Sequence, residues 1–228
     1  MVDERYYLGE EEFYLLLAGK GVERWYGMSS DQKGIALDGI SAKDIYRILA
    51  GLYQKGFVSW DGDSVRLEGI ASEMMKILLP SRCCMRLEKP GSGEEIIFYF
   101  NGSRAVMLEL SRRENRTFRI SILTQSDVLD VLKEESVFPE EQLFYDAGEE
   151  NPEPPQTDDP PLATLIFIHP REGRELEKIL IRERGIDTFM DIEREMTRRI
   201  IRFTPEIWQE ELLEMCSAHD VPEDRREL

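Results

Sequence analysis

The chain predicts an α+β fold: a central antiparallel sheet from two pseudo-repeated β-β-β-α units, flanked by helices, with an N-terminal winged-helix-like segment. Two observations carry this. The first is strand alternation between residues 94 and 132. Ile96, Phe98 and Phe100 alternate with Ile97 and Tyr99; Val106, Leu108 and Leu110 with Met107 and Glu109; Phe118, Ile120 and Ile122 with Arg119, Ser121 and Leu123. A period of two puts each set on one face of a pleated sheet. Asn101-Gly102 supplies a hairpin-type turn between the first two runs. The second is an echo further along, where Ile120–Thr124 lines up with Ile200–Thr204.

In both places a strand ends at a threonine suited to cap a helix. Thr124 is followed by Asp127 in a capping-box arrangement. Thr204 has Pro205 at the first helical position and Glu206 in the first turn, where the helix dipole favours an anion. Val128 and Leu132 then match Trp208 and Leu212. Upstream, Ile97–Phe100 followed by Ala105–Leu110 resembles Leu165–His169 followed by Glu177–Arg182, with an insertion near Ile186–Glu195 in the second unit. Two such units bury their faces best by sharing one antiparallel sheet.

In chain order, residues 1–80 form the N-terminal helical, winged-helix-like segment. A first helix spans Leu8 to Gly19, with Glu10, Glu11 and Glu12 in its first turn and Phe13, Leu16 and Leu17 as its stripe. Trp25 and Tyr26 pack onto the core, and residues 27–40 read as a loop. Ser41 caps a helix to Lys55 whose buried stripe is Ile45, Ile48, Leu49 and Leu52. Phe57–Trp60, Asp61-Gly62 and Ser64–Leu67 make a hairpin, and Ile70–Leu79 another helix ended by Pro80. Residues 81–139 hold a leading strand at 81–89 and the first unit. The segment 140–161, with eight acidic side chains, five prolines and no basic one, is a flexible connector; Phe144 and Tyr145 are its candidates for local docking. Residues 162–216 hold the second unit, within which Asp191–Met196 fits helix or strand. Residues 217–228 form a polar tail.

The formal charge is −17 over 228 residues, a surface that repels nucleic acid and anionic lipid over most of its area. Cys83, Cys84 and Cys216 imply no disulfide framework. The N-terminus lacks a basic region followed by an apolar one, and no apolar run approaches a membrane span. The expectation is a cytoplasmic protein that binds neither membrane nor nucleic acid.

No catalytic apparatus is visible. His169 and His219 have no metal-ligand grouping, so no metal or other cofactor is expected. Cys83-Cys84 reads as packed thiols, and no phosphate loop or nucleophile elbow occurs. The helix 41–55 invites a DNA-reading role, but its only cations are Lys43, Arg47 and Lys55, and the hairpin tip is Asp61-Gly62-Asp63. Partner-binding candidates remain. Arg112, Arg113 and Arg116, with Arg119, cluster at one strand turn, as a solvated turn or as a recognition loop for an acidic or amphipathic partner. Phe189 and Met190 are the best candidates for exposed apolar contact, and Trp208 lies on a stripe with Leu212 and Met215 that reads as core or docking face.

The opening Leu8-Gly9-Glu10-Glu11-Glu12-Phe13, the helical segment ending before Pro80-Ser81, and two β-β-β-α units, the first closing on Val137-Phe138-Pro139, together resemble the EspG-type cytosolic chaperones of type VII (ESX) secretion. The resemblance is architectural and covers most of the chain. It implies a quasi-two-fold α+β fold and a non-enzymatic role, holding a helical-hairpin secretion substrate before export. The segment 41–79 and the long acidic connector depart from the family pattern. A winged-helix transcriptional regulator is the alternative expectation.

Overall fold

The computed structural model describes residues 6–22, 25–26, 41–62, 64–92, 94–111, 117–139, 155, 160–194 and 197–218. Eleven strands and five helices occur among them. In order they are β1 (Tyr6–Gly9), α1 (Glu10–Ala18), α2 (Ala42–Gln54), β2 (Val58–Asp61), β3 (Ser64–Leu67), α3 (Gly69–Leu78), β4 (Cys83–Glu88), β5 (Glu94–Asn101), β6 (Arg104–Ser111), β7 (Thr117–Thr124) and α4 (Gln125–Glu134). β8 (Ala163–Ile168), β9 (Glu175–Arg184), β10 (Asp187–Arg194), β11 (Thr197–Arg202) and α5 (Pro205–Ala218) complete the chain.

Nine strands form a single antiparallel sheet in the order β1-β7-β6-β5-β4-β8-β9-β10-β11, and β2 and β3 pair only with each other. The α+β class and the one large antiparallel sheet are as the alternation predicted. The number of strands per unit is not. Each half is a four-stranded meander followed by one helix, β4 to β7 with α4 and β8 to β11 with α5. The segment read as an insertion near Ile186–Glu195 is the strand β10, and Asp191 to Arg194 is strand rather than helix. The upstream match of Ile97–Phe100 with Leu165–His169 is therefore displaced by one strand: it sets β5 against β8, whereas β8 corresponds in order to β4.

Helix ends follow local chemistry. Ser41 Oγ accepts from the Asp44 N–H at 3.2 Å, and Thr124 and Asp127 exchange both bonds of a capping box. Thr204 Oγ1 accepts from the Ile207 N–H at 3.2 Å. The first helix begins later than predicted. The Gly9 N–H donates to the Glu12 carboxylate at 2.7 Å, which caps α1 at Gly9 and frees Tyr6–Gly9 to become the edge strand against β7.

Two apolar layers sandwich the sheet. Met85, Phe98, Met107, Leu165, Phe167 and Ile181 point to the side covered by α4 and α5. Cys84, Ile97, Tyr99, Val106, Ile120 and Ile166 point to the side covered by α1, α2 and α3. The N-terminal segment is therefore continuous with the main sheet through β1.

Trp25 and Tyr26 fasten that segment to the second half. Trp25 packs on Tyr99 with ring centres 5.6 Å apart, the Tyr99 hydroxyl donates to the Tyr26 carbonyl at 3.2 Å, and the Tyr26 N–H donates to the Pro170 carbonyl at 2.7 Å. Gly173 makes this possible. Its φ is +69°, and a Cβ there would meet the Tyr26 ring at 2.5 Å. Gly173→Ala is expected to destabilise the protein by about 2 kcal/mol, from left-handed backbone strain plus displacement of the ring, measured by denaturant unfolding. A loss below ~0.5 kcal/mol would show that the contact yields freely.

Candidate protein-binding surface

Helix α2 turns two different faces outward and inward. Ile48 and Leu52 are buried one turn apart, with Ile45 and Leu49 half-buried beside them. Opposite them Lys43, Tyr46, Arg47, Ala50, Tyr53 and Gln54 are exposed, and spacings of three, four and seven align them in one stripe. Tyr46 is 69% exposed and Tyr53 55%. In the hairpin, Val58 pairs with Leu67 and Trp60 with Val65 on the same face. The inner pair is covered, whereas Trp60 and Val65 are exposed.

All the large exposed aromatics among the described residues, Tyr7, Tyr46, Tyr53 and Trp60, belong to this N-terminal lobe. Single exposed apolar side chains are ordinary. Tyr7 stands in register with Arg119, on the sheet face opposite α2, whereas Tyr46 and Tyr53 share one helix face, and exposed aromatics of this kind match the chemistry that dominates protein interfaces. The cations nearby are largely engaged: Arg47 pairs with Glu11 at 3.1 Å and Asp44 at 3.6 Å, Lys55 with Glu12 at 2.6 Å, and Arg66 with Asp61.

The partner-binding candidates lie elsewhere. Arg112, Arg113 and Arg116 fall outside the described residues; their neighbour Arg119 pairs with Glu109. Phe189, Met190 and Trp208 are corrected: all three are buried and offer no exposed contact. Met190 and Trp208 belong to the layer beneath α5. Phe189 stands between Arg182 and Arg202 in register on the neighbouring strands. An apolar pair in an insertion reads as exposed, but in a strand paired on both sides the same residues alternate between the two faces, and both are buried.

Charged groups in the second half are structural. Arg194 on β10 pairs with Glu177 on β9 and with Glu211 at 3.3 Å and Glu214 at 2.9 Å on α5, and Arg199 on β11 pairs with Glu211. These bonds tie α5 to the sheet. Burial raises the Glu177 pKa above the ordinary glutamate value, while the Arg194 hydrogen bond opposes the rise.

His169 is also structural. Its Nδ1 accepts from the Glu172 N–H at 3.2 Å, and burial lowers its pKa, so it is neutral near pH 7. Burial pushes the Cys84 thiol up to about 12, which leaves it unreactive. Among the described residues no three His, Cys, Asp or Glu side chains converge as a metal site, and no helix is long and apolar enough to cross a membrane. His219, Phe144 and Tyr145 lie outside the described residues.

The α2 stripe was legible in the sequence. Tyr46 and Tyr53 are seven residues apart and opposite Ile48 and Leu52. No protein-family model matches the chain, and no curated protein matches it.

Proposed function

We propose that this chain is a non-enzymatic chaperone or adaptor that binds a helical-hairpin secretion substrate in the cytoplasm, in the manner of the EspG-type proteins of type VII secretion. The observation that carries the reading is the pair of exposed tyrosines, Tyr46 and Tyr53, on the outward face of α2, with Trp60 exposed on the hairpin that follows, on a segment joined to the nine-stranded sheet through β1. Rigid aromatic anchors bind another protein at small cost in conformational entropy. The resemblance noted in the sequence supports it too, since it implies a central antiparallel sheet flanked by helices, with the two halves in a quasi-two-fold relation.

The rival reading, a winged-helix transcriptional regulator, draws on the order of α2, hairpin and α3. It is disfavoured because Arg47, Lys55 and Arg66 are held by carboxylates, and phosphate binding needs uncommitted cations. Co-expression with a helical-hairpin type VII substrate is expected to give a co-purifying complex. Failure of every such substrate to co-purify, together with salt-sensitive retention of duplex DNA, would favour the regulator instead.

A further inference from the structure

Two of the three cysteines meet inside the molecule. α5 turns Trp208, Leu212, Met215 and Cys216 toward the sheet at the spacing of one helix face, and all four belong to the apolar layer beneath it. In β4 the alternation puts Cys83, Met85 and Leu87 into that same layer and sends Cys84 into the opposite one. There the Cys83 and Cys216 side chains are hydrogen-bonded to each other. Cys83 is 2% exposed and Cys216 8%. Cys216 lies in the last turn of α5, which ends at Ala218. Helix ends fray, so a small reagent reaches this thiol by a local opening that leaves the sheet intact. We propose that Cys83 and Cys216 are a dithiol pair that a small disulfide oxidant converts to a disulfide in the folded protein, bonding the last turn of α5 to β4.

With glutathione disulfide as the oxidant, the Cys216 thiolate attacks one of its sulfurs and a glutathione thiolate leaves with the bonding pair. Cys83, giving up its proton, then attacks the Cys216 sulfur of the mixed disulfide and expels the second glutathione. Two protein thiols are oxidised, and one small disulfide is reduced to two thiols. The environment sets the order. The hydrogen bond with Cys216, and then burial, hold the Cys83 thiol well above the ordinary thiol pKa, so it stays protonated at neutral pH and Cys216 attacks first. The second step joins groups already in contact, which makes the mixed disulfide short-lived. Cys84 takes no part, because the sheet separates it from α5. β4 opens the first four-stranded half and α5 closes the second, so the bond closes a long loop across their join. A link of that kind stabilises by constraining the unfolded chain. The inference is independent of what the chain binds.

The test incubates the full chain with glutathione disulfide at neutral pH, well below its melting temperature, and maps it by mass spectrometry without reductant. The chain is expected to lose two hydrogens, with the tryptic peptides Cys83–Arg86 and Phe203–Arg225 joined. Cys84→Ala should cross-link as the wild type does, which assigns the bond to Cys83. Cys83→Ala should instead stop at a glutathione adduct on Cys216. The oxidised chain should melt at least about 5 °C above the reduced one, and dithiothreitol should reverse both changes. Circular dichroism verifies that each variant folds; should Cys83→Ala fail to fold, the wild type and Cys84→Ala decide the matter. Thiols that stay free, a glutathione adduct that persists on the wild type without a cross-link, or a link that Cys84→Ala abolishes would overturn the proposal. So would a link formed only between two chains or only in denaturant, or an oxidised form that melts no higher than the reduced one.

Discussion

Trp208→Ala is expected to destabilise the protein by about 3–5 kcal/mol and to lower its melting temperature by roughly 10 °C. Trp208 is fully buried in the first turns of α5. Its ring lies 5.2 Å from that of Phe138, which in turn stacks on Phe203 at 4.0 Å and 9°. These three rings join the chain beyond α4, the end of β11 and the start of α5. Removing the indole leaves a cavity that the sheet beneath cannot fill, and cavity cost adds to lost burial.

Trp208→Phe separates two contributions. The indole N–H has no hydrogen-bond partner among the described residues. An unpaired buried donor costs about 1–3 kcal/mol, so the phenylalanine variant loses ring area but sheds that penalty. It should be much milder than alanine, by at least about 1.5 kcal/mol in urea unfolding. Equal losses for the two variants would show that ring packing is not what holds α5.

The sheet was legible because its strands are regular. Ile96–Phe100, Val106–Leu110 and Phe118–Leu123 alternate without interruption, and the turn at Asn101-Gly102 has the chemistry its hairpin needs; Gly102 takes a φ of +56°. Ser41 and Thr124 were legible for the same reason, since capping is set within four residues. What failed depended on contacts distant in the chain. Tyr6–Gly9 carries too few residues to display a period, and only its pairing with β7 makes it a strand. β10 was obscured by buried charge. Asp191 sits in the middle of Phe189, Met190 and Ile192, and a buried carboxylate reads from sequence as a break in the pattern. It is tolerated only because arginines from both neighbouring strands reach it. Phe189 and Met190 read as exposed only while β10 reads as an insertion; in a strand paired on both sides they are buried.

The second large effect is expected at that carboxylate. Asp191 has no exposed surface. The Arg182 Nε–H donates to its Oδ2 at 3.3 Å, and Arg198 donates through Nε–H to Oδ1 at 2.7 Å and through Nη2–H to Oδ2 at 2.5 Å. Arg198 is partly open to water, but Arg182 is buried. Asp191→Ala therefore leaves Arg182 charged, buried and without its anion, and removing one member of a buried pair costs about 3–5 kcal/mol. A loss near 3 kcal/mol is expected, because water still reaches the Arg198 side. Asp191→Asn keeps the shape and one acceptor and should cost less.

The pH dependence provides the check. Arg198, then Arg182, holds the Asp191 carboxyl below the ordinary aspartate value. A depressed folded pKa means stability that is present above the unfolded value, about 3.9, and lost as pH falls through the folded one. Glu177 has the opposite sign: its pKa is raised by burial, so its share is present below about 4.3 and lost as pH rises through the raised value. The wild type should accordingly lose stability in acid below about pH 4, and Asp191→Asn should flatten that limb. Glu177→Gln should instead flatten the weaker change on the other side of the ordinary glutamate value. If Asp191→Asn leaves the acid limb as steep as in the wild type, the Arg182–Asp191–Arg198 cluster is not what holds β9, β10 and β11 in register.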